Sequence, residues 1–338
     1  MVIFCHYWGG RGHESHIKFA ESIGATFFNF YTLYRNPYLN LNLLGKLLKD
    51  DVFISEGFNP IFLLYVVKSF FKDKKIIALF ADGMPYVFSM RPEWYFNEAS
   101  GVKRFLKRFY VCGIFSKLFK SIDAGIAVSE LVKEYVLQLN PDIKVEVVHP
   151  YITNEKYYDL IKISPNLETH NILCIGNPRL YKGLDILIEA FSIVKNEIKD
   201  ANLFIRSSWF RHKSVNGVKF LDFMPKLSSI FKNVSLYVQS SRFDPFPVSV
   251  LESMLSGIPL VITNMVGSRD IVKEFGEDFI RNVDAEDLAE GILKYFDLSL
   301  SKKEEISKKA KKVASYFNEI NCVKKFRDRF LKILEYLK

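Results

Sequence analysis

The chain has 338 residues, enough for two domains with separate cores, and is 49% apolar and 25% charged, the balance of a soluble globular protein. That composition excludes a disordered chain, and with no run of 18 uncharged apolar residues no transmembrane helix is expected. The net charge of +9 favours anionic partners: nucleotide donors, acidic lipid surfaces or nucleic acid.

Taken in chain order, short apolar runs alternate with stretches of helical periodicity. The first strand is expected over 2–6, with no basic region before it, so no signal peptide is expected. Gly9-Gly10-Arg11-Gly12-His13 follows, where glycines let backbone approach a ligand closely and Arg11 adds charge; a plain flexible turn fits the same residues. His13 and His16 face either a cleft or solvent, and lack the third partner of a metal site. Helix 15–23 leads to strands at 26–30, 51–55 and 75–81, and the most apolar stretch, 60–71, is short and carries Lys68. Asp82 comes directly after the 75–81 strand; it is either a site residue or part of an Asp82-Gly83 turn.

Between 103 and 120 charge and aromatics interleave. Lys103, Arg104, Lys107 and Arg108 fall on one side of a helix, with Phe105, Leu106, Phe109 and Tyr110 on the other. Lys117 and Lys120 follow among Phe115, Leu118 and Phe119. Such a segment either lies on an anionic bilayer or is an ordinary amphipathic helix with its aromatics in the core. Strands at 124–128 and 145–149, flanking a helix at 131–139, complete the first half.

The segment 150–170, with Pro150, Asn154, Pro165 and Asn166, loses the apolar run and marks the join. Strands then recur at 172–175, 202–206, 234–238 and 260–263. Continuous apolar strands alternating with helices imply parallel sheets covered on both faces, hence two doubly wound α/β, Rossmann-like domains. Ligands of such sheets bind beyond the C-terminal strand ends, which places the expected site in a cleft between the domains. The Lys-rich stretches 302–312 and 324–338 read as solvated faces. Cys5, Cys112, Cys174 and Cys322 are scattered without metal-ligand spacing, so no metal is expected and a reducing cytoplasm fits.

The most informative run is Asp244-Pro-Phe-Pro-Val-Ser-Val-Leu-Glu252. Pro247 stands where a helix would start and Gly257 where it would stop. A helix N-terminus offers unpaired N–H groups and partial positive charge, and here one carboxylate precedes it and another lies just over a turn inside. The arrangement suits a ligand with an anionic centre and hydroxyls at both ends, which describes a nucleotide-diphosphate sugar. For Asp244 a helix N-cap is the plainer alternative, and for Glu252 a surface position. A second run, Ile175-Gly-Asn-Pro-Arg-Leu-Tyr-Lys-Gly-Leu-Asp-Ile-Leu-Ile-Glu-Ala-Phe191, reads as a strand, a loop and a helix opening at Gly183.

The acidic pair resembles the E-x7-E signature of retaining glycosyltransferases of the GT-B fold, family 4 (group 1) in particular. The resemblance is strong from Asp123 to Val272, taking in Asp123-Ala-Gly-Ile-Ala-Val-Ser-Glu130, the 175–191 run, and Pro259-Leu-Val-Ile-Thr263 with Gly267; it is weak before Asp123. It implies an N-terminal acceptor domain over 1–160, a nucleotide-sugar domain over 161–315, and a C-terminal helix over 316–338 that packs back on the first. It further implies that Lys182 binds the donor phosphates, with Arg179 replacing an arginine that the family usually carries where Asn177 stands here. Asp244 would contact sugar hydroxyls and Glu252 the ribose, while Gly9, Gly10, Asn177, Gly183, Phe246, Pro247, Val248 and Ser249 would line the donor. Asp82, Arg11 and His13 are the implied acceptor or sugar contacts. Basic groups and a helix N-terminus would stabilise the departing diphosphate without a metal or further cofactor.

The function so implied is retaining transfer from a nucleotide-diphosphate sugar to a saccharide or lipid-linked acceptor, in the cytoplasm or on the inner membrane face through 103–120. A nucleotide-sugar epimerase on the same fold is the alternative enzyme; a phosphorylase would need a pyridoxal-binding lysine block that is not found. A basic, non-catalytic ligand or nucleic-acid binder is the alternative outside enzymes, supported by net charge alone and by no nucleic-acid motif.

Overall fold

The computed structural model describes residues 2–7, 13–31, 45, 51–57, 59–97, 100–109, 114–207, 215–221 and 227–338. The chain divides into two compact units, residues 1–150 with 319–338, and residues 151–318.

In the first unit the elements run β1 (Val2–His6), α1 (Glu14–Ser22), β2 (Thr26–Asn29), β3 (Val52–Glu56), α2 (Asn59–Phe70), β4 (Lys75–Phe80), α3 (Met84–Met90), α4 (Glu93–Asn97), α5 (Gly101–Phe109), α6 (Phe115–Lys120), β5 (Ala124–Ala127), α7 (Glu130–Leu139) and β6 (Lys144–Val147). Six parallel strands lie in the order β2-β1-β3-β4-β5-β6. Their sequences do not alternate because both faces are covered: β4 is buried from Ile76 to Phe80 and β5 throughout. Ser129 starts α7 as its side-chain cap, accepting from the Val132 amide at 3.2 Å. The order reverses at β1, which has β2 on one side and β3 on the other, so the crevice of this sheet opens beyond the ends of β1 and β3.

The second unit contains α8 (Asn154–Leu160), β7 (Asn171–Ile175), a 3-10 turn (Leu180–Lys182), α9 (Leu184–Glu197), β8 (Asn202–Arg206), β9 (Val218–Leu221), α10 (Leu227–Phe231), β10 (Leu236–Gln239), α11 (Val248–Leu255), β11 (Leu260–Thr263), α12 (Arg269–Val272), two further 3-10 turns (Lys273–Phe275 and Glu277–Phe279), β12 (Ile280–Arg281), α13 (Ala285–Phe296) and α14 (Leu300–Ala314). Its strands are again parallel, in the order β12-β11-β10-β7-β8-β9. The chain moves outward from β7 to β9 and then crosses back to β10, so the switch point lies between β7 and β10. Helix α9 packs on α13 and α11 on α14, with Phe191, Phe231, Tyr237 and Tyr295 fully buried. The Tyr295 hydroxyl meets the Ser235 carbonyl at 2.6 Å, so the large ring is buried without an unsatisfied polar atom.

The last helix, α15 (Glu319–Tyr336), belongs to the first unit and packs on α1. Phe326 stacks on Phe19 with ring centroids 4.6 Å apart, and Arg329 and Lys332 each reach the buried Glu146 of β6 at 3.0 Å.

Two readings of charged helices change. Lys303 and Lys311 of α14 are not solvated: Lys303 is buried and donates to the Phe296 carbonyl, and Lys311 donates to the carbonyls of Ile161 and Ile163. The long aliphatic stem fills apolar space while the ammonium satisfies carbonyls at and just past helix C-termini. The 103–120 segment divides in two. Phe115, Leu118 and Phe119 of α6 are core residues, whereas Phe105, Leu106 and Phe109 of α5 are exposed.

Candidate functional site

Both runs singled out in the second half end at the switch point. After β7 the chain passes Gly176, Asn177 and Arg179, tightens into the 3-10 turn, and enters α9 through Gly183. After β10 it runs through Ser240–Phe246 into α11. The two loops are tied at several points. The amides of Arg242 and Phe243 donate to the Tyr181 carbonyl at 2.8 and 3.3 Å. The Arg242 guanidinium forks onto Asp185 at 2.7 and 2.6 Å and also reaches the Leu180 carbonyl. Bidentate geometry fixes direction as well as distance, so this pair sets the spacing of the loops.

Within that frame the Lys182 ammonium lies 2.6 Å from the Asp244 carboxylate. Burial alone would lower the Lys182 pKa, but the Asp244 charge and hydrogen bond hold it above its ordinary value. The lysine stays charged, and Asp244 takes one of its three ammonium hydrogens. Asp244 is 4% exposed, and its backbone is pinned by bonds to Met265 and Gly267 at 3.0 and 2.8 Å. It is not the helix cap that its residue type allowed: Pro247 holds the N-cap position and no side chain caps α11.

Glu252, five residues into α11 counted from the cap, is also 4% exposed rather than on the surface. Its carboxylate accepts from Lys156 at 2.6 Å, an α8 lysine whose side chain is 54% exposed. Each acid therefore has one lysine partner, and neither points into bulk water. Beneath the helix start lies a buried polar chain in which the Tyr237 hydroxyl contacts Gln239 at 2.7 Å and Ser249 at 2.8 Å, and Gln239 donates to Ser241 at 2.8 Å. It immobilises the first turn of α11 from below. Helix α11 stops at Gly257, whose φ of +79° suits glycine. Phe246 and Pro247 are buried, whereas Asn177 and Arg179 are exposed.

The first unit has its own constellation at the β1/β3 switch point. His16 of α1, buried, hydrogen-bonds through Nδ1 to Glu56 Oε1 at the end of β3. The other Glu56 oxygen is buried without a hydrogen-bond partner among the described residues. The His13 and His16 rings are 5.1 Å apart. Burial lowers the His13 pKa and the neighbouring His16 adds to it, against the opposing pull of Glu56. Asp82, just beyond β4, accepts from the Met84 amide at 3.0 Å. Burial and the nearby Glu56 raise its pKa to about 6, against the Met84 hydrogen bond and His16. Gly9, Gly10 and Arg11 lie outside the described residues.

The Asp82 shift fixes a sign. Between its unfolded value near 3.8 and about 6, the folded protein holds a proton that the unfolded chain has lost, so stability falls as pH rises through that window. Asp82→Asn removes the penalty. It is expected to raise the unfolding free energy relative to wild type by about 1–2 kcal/mol at pH 7.5, after solvent screening, but not at pH 4. A mutant difference that is the same at both pH values contradicts the assignment.

Sequence reasoning missed Lys156, Asp185, Arg242, Glu56, and Tyr237 and Gln239 beneath Ser249. All are ordinary residues at unremarkable spacings, and only the folded loops bring them to the site.

Residues 160–313 match the glycosyl transferases group 1 family. An uncharacterized glycosyltransferase of Haemophilus influenzae is 30% identical over 108 residues, covering 29% of this chain and 31% of that protein. Mannosylfructose-phosphate synthase of Agrobacterium fabrum is 24% identical over 178 residues, covering 43% and 38%. The chain spans under half the length of the curated relatives it matches. Among solved structures, sucrose-phosphate synthase from Thermosynechococcus elongatus superposes with a TM-score of 0.70 at 11% identity, over 99% of both chains. Anabaena Alr3699/HepE in complex with UDP-glucose gives 0.68 at 15% identity, over 98% of this chain and 100% of that one.

Proposed function

We propose that this chain, a GT-B protein whose residues 160–313 form a group 1 glycosyltransferase domain, moves a sugar from a nucleotide-diphosphate donor to a hydroxyl of a saccharide or lipid-linked acceptor. The observation that carries the reading is the pair of buried acids, each with a lysine, around the start of α11. The donor pyrophosphate lies at the first turn of α11, where helix N–H groups and Lys182 meet its charge. Asp244 accepts from sugar hydroxyls on one side, and Glu252 from the ribose diol on the other. Arg179 adds charge from the exposed side of the loop.

In the transfer step the bond from the anomeric carbon to the phosphate oxygen breaks, and the electron pair leaves with the nucleoside diphosphate. Lys182 and the α11 N-terminus stabilise that developing charge before it forms, the preorganised arrangement that is most effective for catalysis. The acceptor oxygen bonds to the anomeric carbon on the face the diphosphate vacates, so configuration is retained, and its proton passes to a departing phosphate oxygen. No metal or further cofactor enters these steps. In the first unit, His13 and Asp82 are the proposed acceptor contacts, with Glu56 holding the buried His16 beside His13.

Isothermal titration with UDP- and GDP-sugars tests the reading and names the donor; the UDP-glucose complex of Alr3699/HepE makes UDP-glucose the first compound to try. One series is expected to bind, and Glu252→Ala to weaken that binding by about 10- to 100-fold, the worth of hydrogen bonds to a charged acceptor. Because Lys156 is half exposed, its loss of a partner is met by water and does not mask the effect. Binding by neither series, or unchanged affinity in the variant, rejects the site. Turnover in EDTA is expected to persist; a strict metal requirement would overturn the leaving-group chemistry.

A further inference from the structure

Helix α5 (Gly101–Phe109) is inside out. At 100° per residue Val102, Phe105, Leu106 and Phe109 form one stripe, and Lys103, Arg104, Lys107 and Arg108 the opposite one. No residue of the helix is buried, and the apolar stripe is the open side: Val102 is 74% exposed, Phe105 68%, Leu106 56% and Phe109 57%. The basic stripe faces α4. Arg108 Nη2 donates to both Glu93 carboxylate oxygens at 2.9 and 2.8 Å, Arg104 reaches Glu93 at 3.8 Å, and Lys107 sits 4.4 Å from the Tyr95 ring centre. An isolated helix of this sequence would turn its apolar stripe toward a core. Here the Glu93 and Tyr95 contacts hold it in the opposite orientation.

We propose that α5 is the membrane-docking element of this protein, and that its apolar stripe inserts at the headgroup–acyl boundary of an anionic bilayer. The charges select this occupant. Lys103 borders the stripe with its charge exposed, and α6 adds the exposed Lys117 and Lys120. A second copy of the chain would bring the same basic edges and a net charge of +9 against themselves, so self-association through this face is opposed by like charge. Among the described residues no helix is long and apolar enough to cross a membrane, and the proposed attachment is reversible and lies along the surface. The inference stands on α5 alone and does not rest on the sugar-transfer reading.

Sedimentation of the full chain with lipid vesicles tests it. Vesicles with about 30% phosphatidylglycerol in phosphatidylcholine are expected to retain the protein at least about tenfold better than phosphatidylcholine alone, with retention falling as salt rises. The double variant Phe105→Ser/Phe109→Ser is expected to lose about tenfold or more of that binding while keeping the wild-type melting temperature. Failure to sediment with anionic vesicles, equal retention on both vesicle types, or full retention of the double variant each overturns the proposal. A wild-type dimer in light scattering that the double variant converts to monomer, without vesicle binding, assigns the face to a second copy instead.

Discussion

Lys182→Ala is expected to lower sugar turnover by about 10²- to 10³-fold, the usual cost of removing one preorganised group that stabilises developing charge. Two effects combine in this variant and separate cleanly. Losing the ammonium removes stabilisation of the departing diphosphate, which appears in kcat. It also leaves the Asp244 carboxylate, 4% exposed and held by backbone bonds to Met265 and Gly267, without its cation. Stripping one partner from a buried pair costs about 3–5 kcal/mol at full burial, and less here because the Lys182 side chain is 20% exposed. The double variant Lys182→Ala/Asp244→Asn removes the stranded charge. Its unfolding midpoint is expected to recover while turnover stays well below that of Asp244→Asn alone. If the double variant turns over as fast as Asp244→Asn alone, Lys182 serves only to hold Asp244. Steady-state kinetics beside thermal unfolding decides between the two.

The second large effect is at Gly183. Its φ of +64° is one that glycine adopts freely, and a methyl group there would lie 1.9 Å from the Ser240 carbonyl oxygen and 2.9 Å from its carbon. Those atoms are backbone at the end of β10, so no side-chain rotation relieves the overlap. Gly183→Ala must part the β7–α9 loop from β10, breaking the registry that places Lys182 against Asp244. The expected cost exceeds about 4 kcal/mol, at the extreme of single substitutions. Gly24→Ala is the control: φ is +66° but nothing lies within 4 Å, so only the conformational penalty of about 1–2 kcal/mol applies. Urea unfolding followed by circular dichroism of both variants isolates the clash from the dihedral. Equal destabilisation would show that the close approach to Ser240 does not constrain the loop.

Much of the architecture was legible because parallel, two-sided burial writes itself into sequence. Runs such as Ile76–Phe80 and Leu236–Gln239 contain almost nothing that tolerates water, so strand positions and the doubly wound class follow from them directly. Pro247 and Gly257 were equally readable as the bounds of α11, since a proline at a helix start and a glycine at its end are local requirements. Local chemistry says less about which side of an element meets its neighbour. The periodicity of α5 and α6 gave the same two possibilities for both; α6 sank its aromatics into the core and α5 turned its own outward.

By itself, then, the sequence determined ten of the twelve described strands, the doubly wound class and the acidic helix between Pro247 and Gly257, because each rests on interactions within a few residues; the short β9 and β12 were not among them. Only the tertiary structure decided that Lys156 meets Glu252, that Arg242 locks to Asp185, that Glu56 joins His16, and that α5 faces outward. Those partners lie 96, 57 and 40 residues apart in the chain. Their meeting is fixed by strand order and loop closure, which no local pattern records.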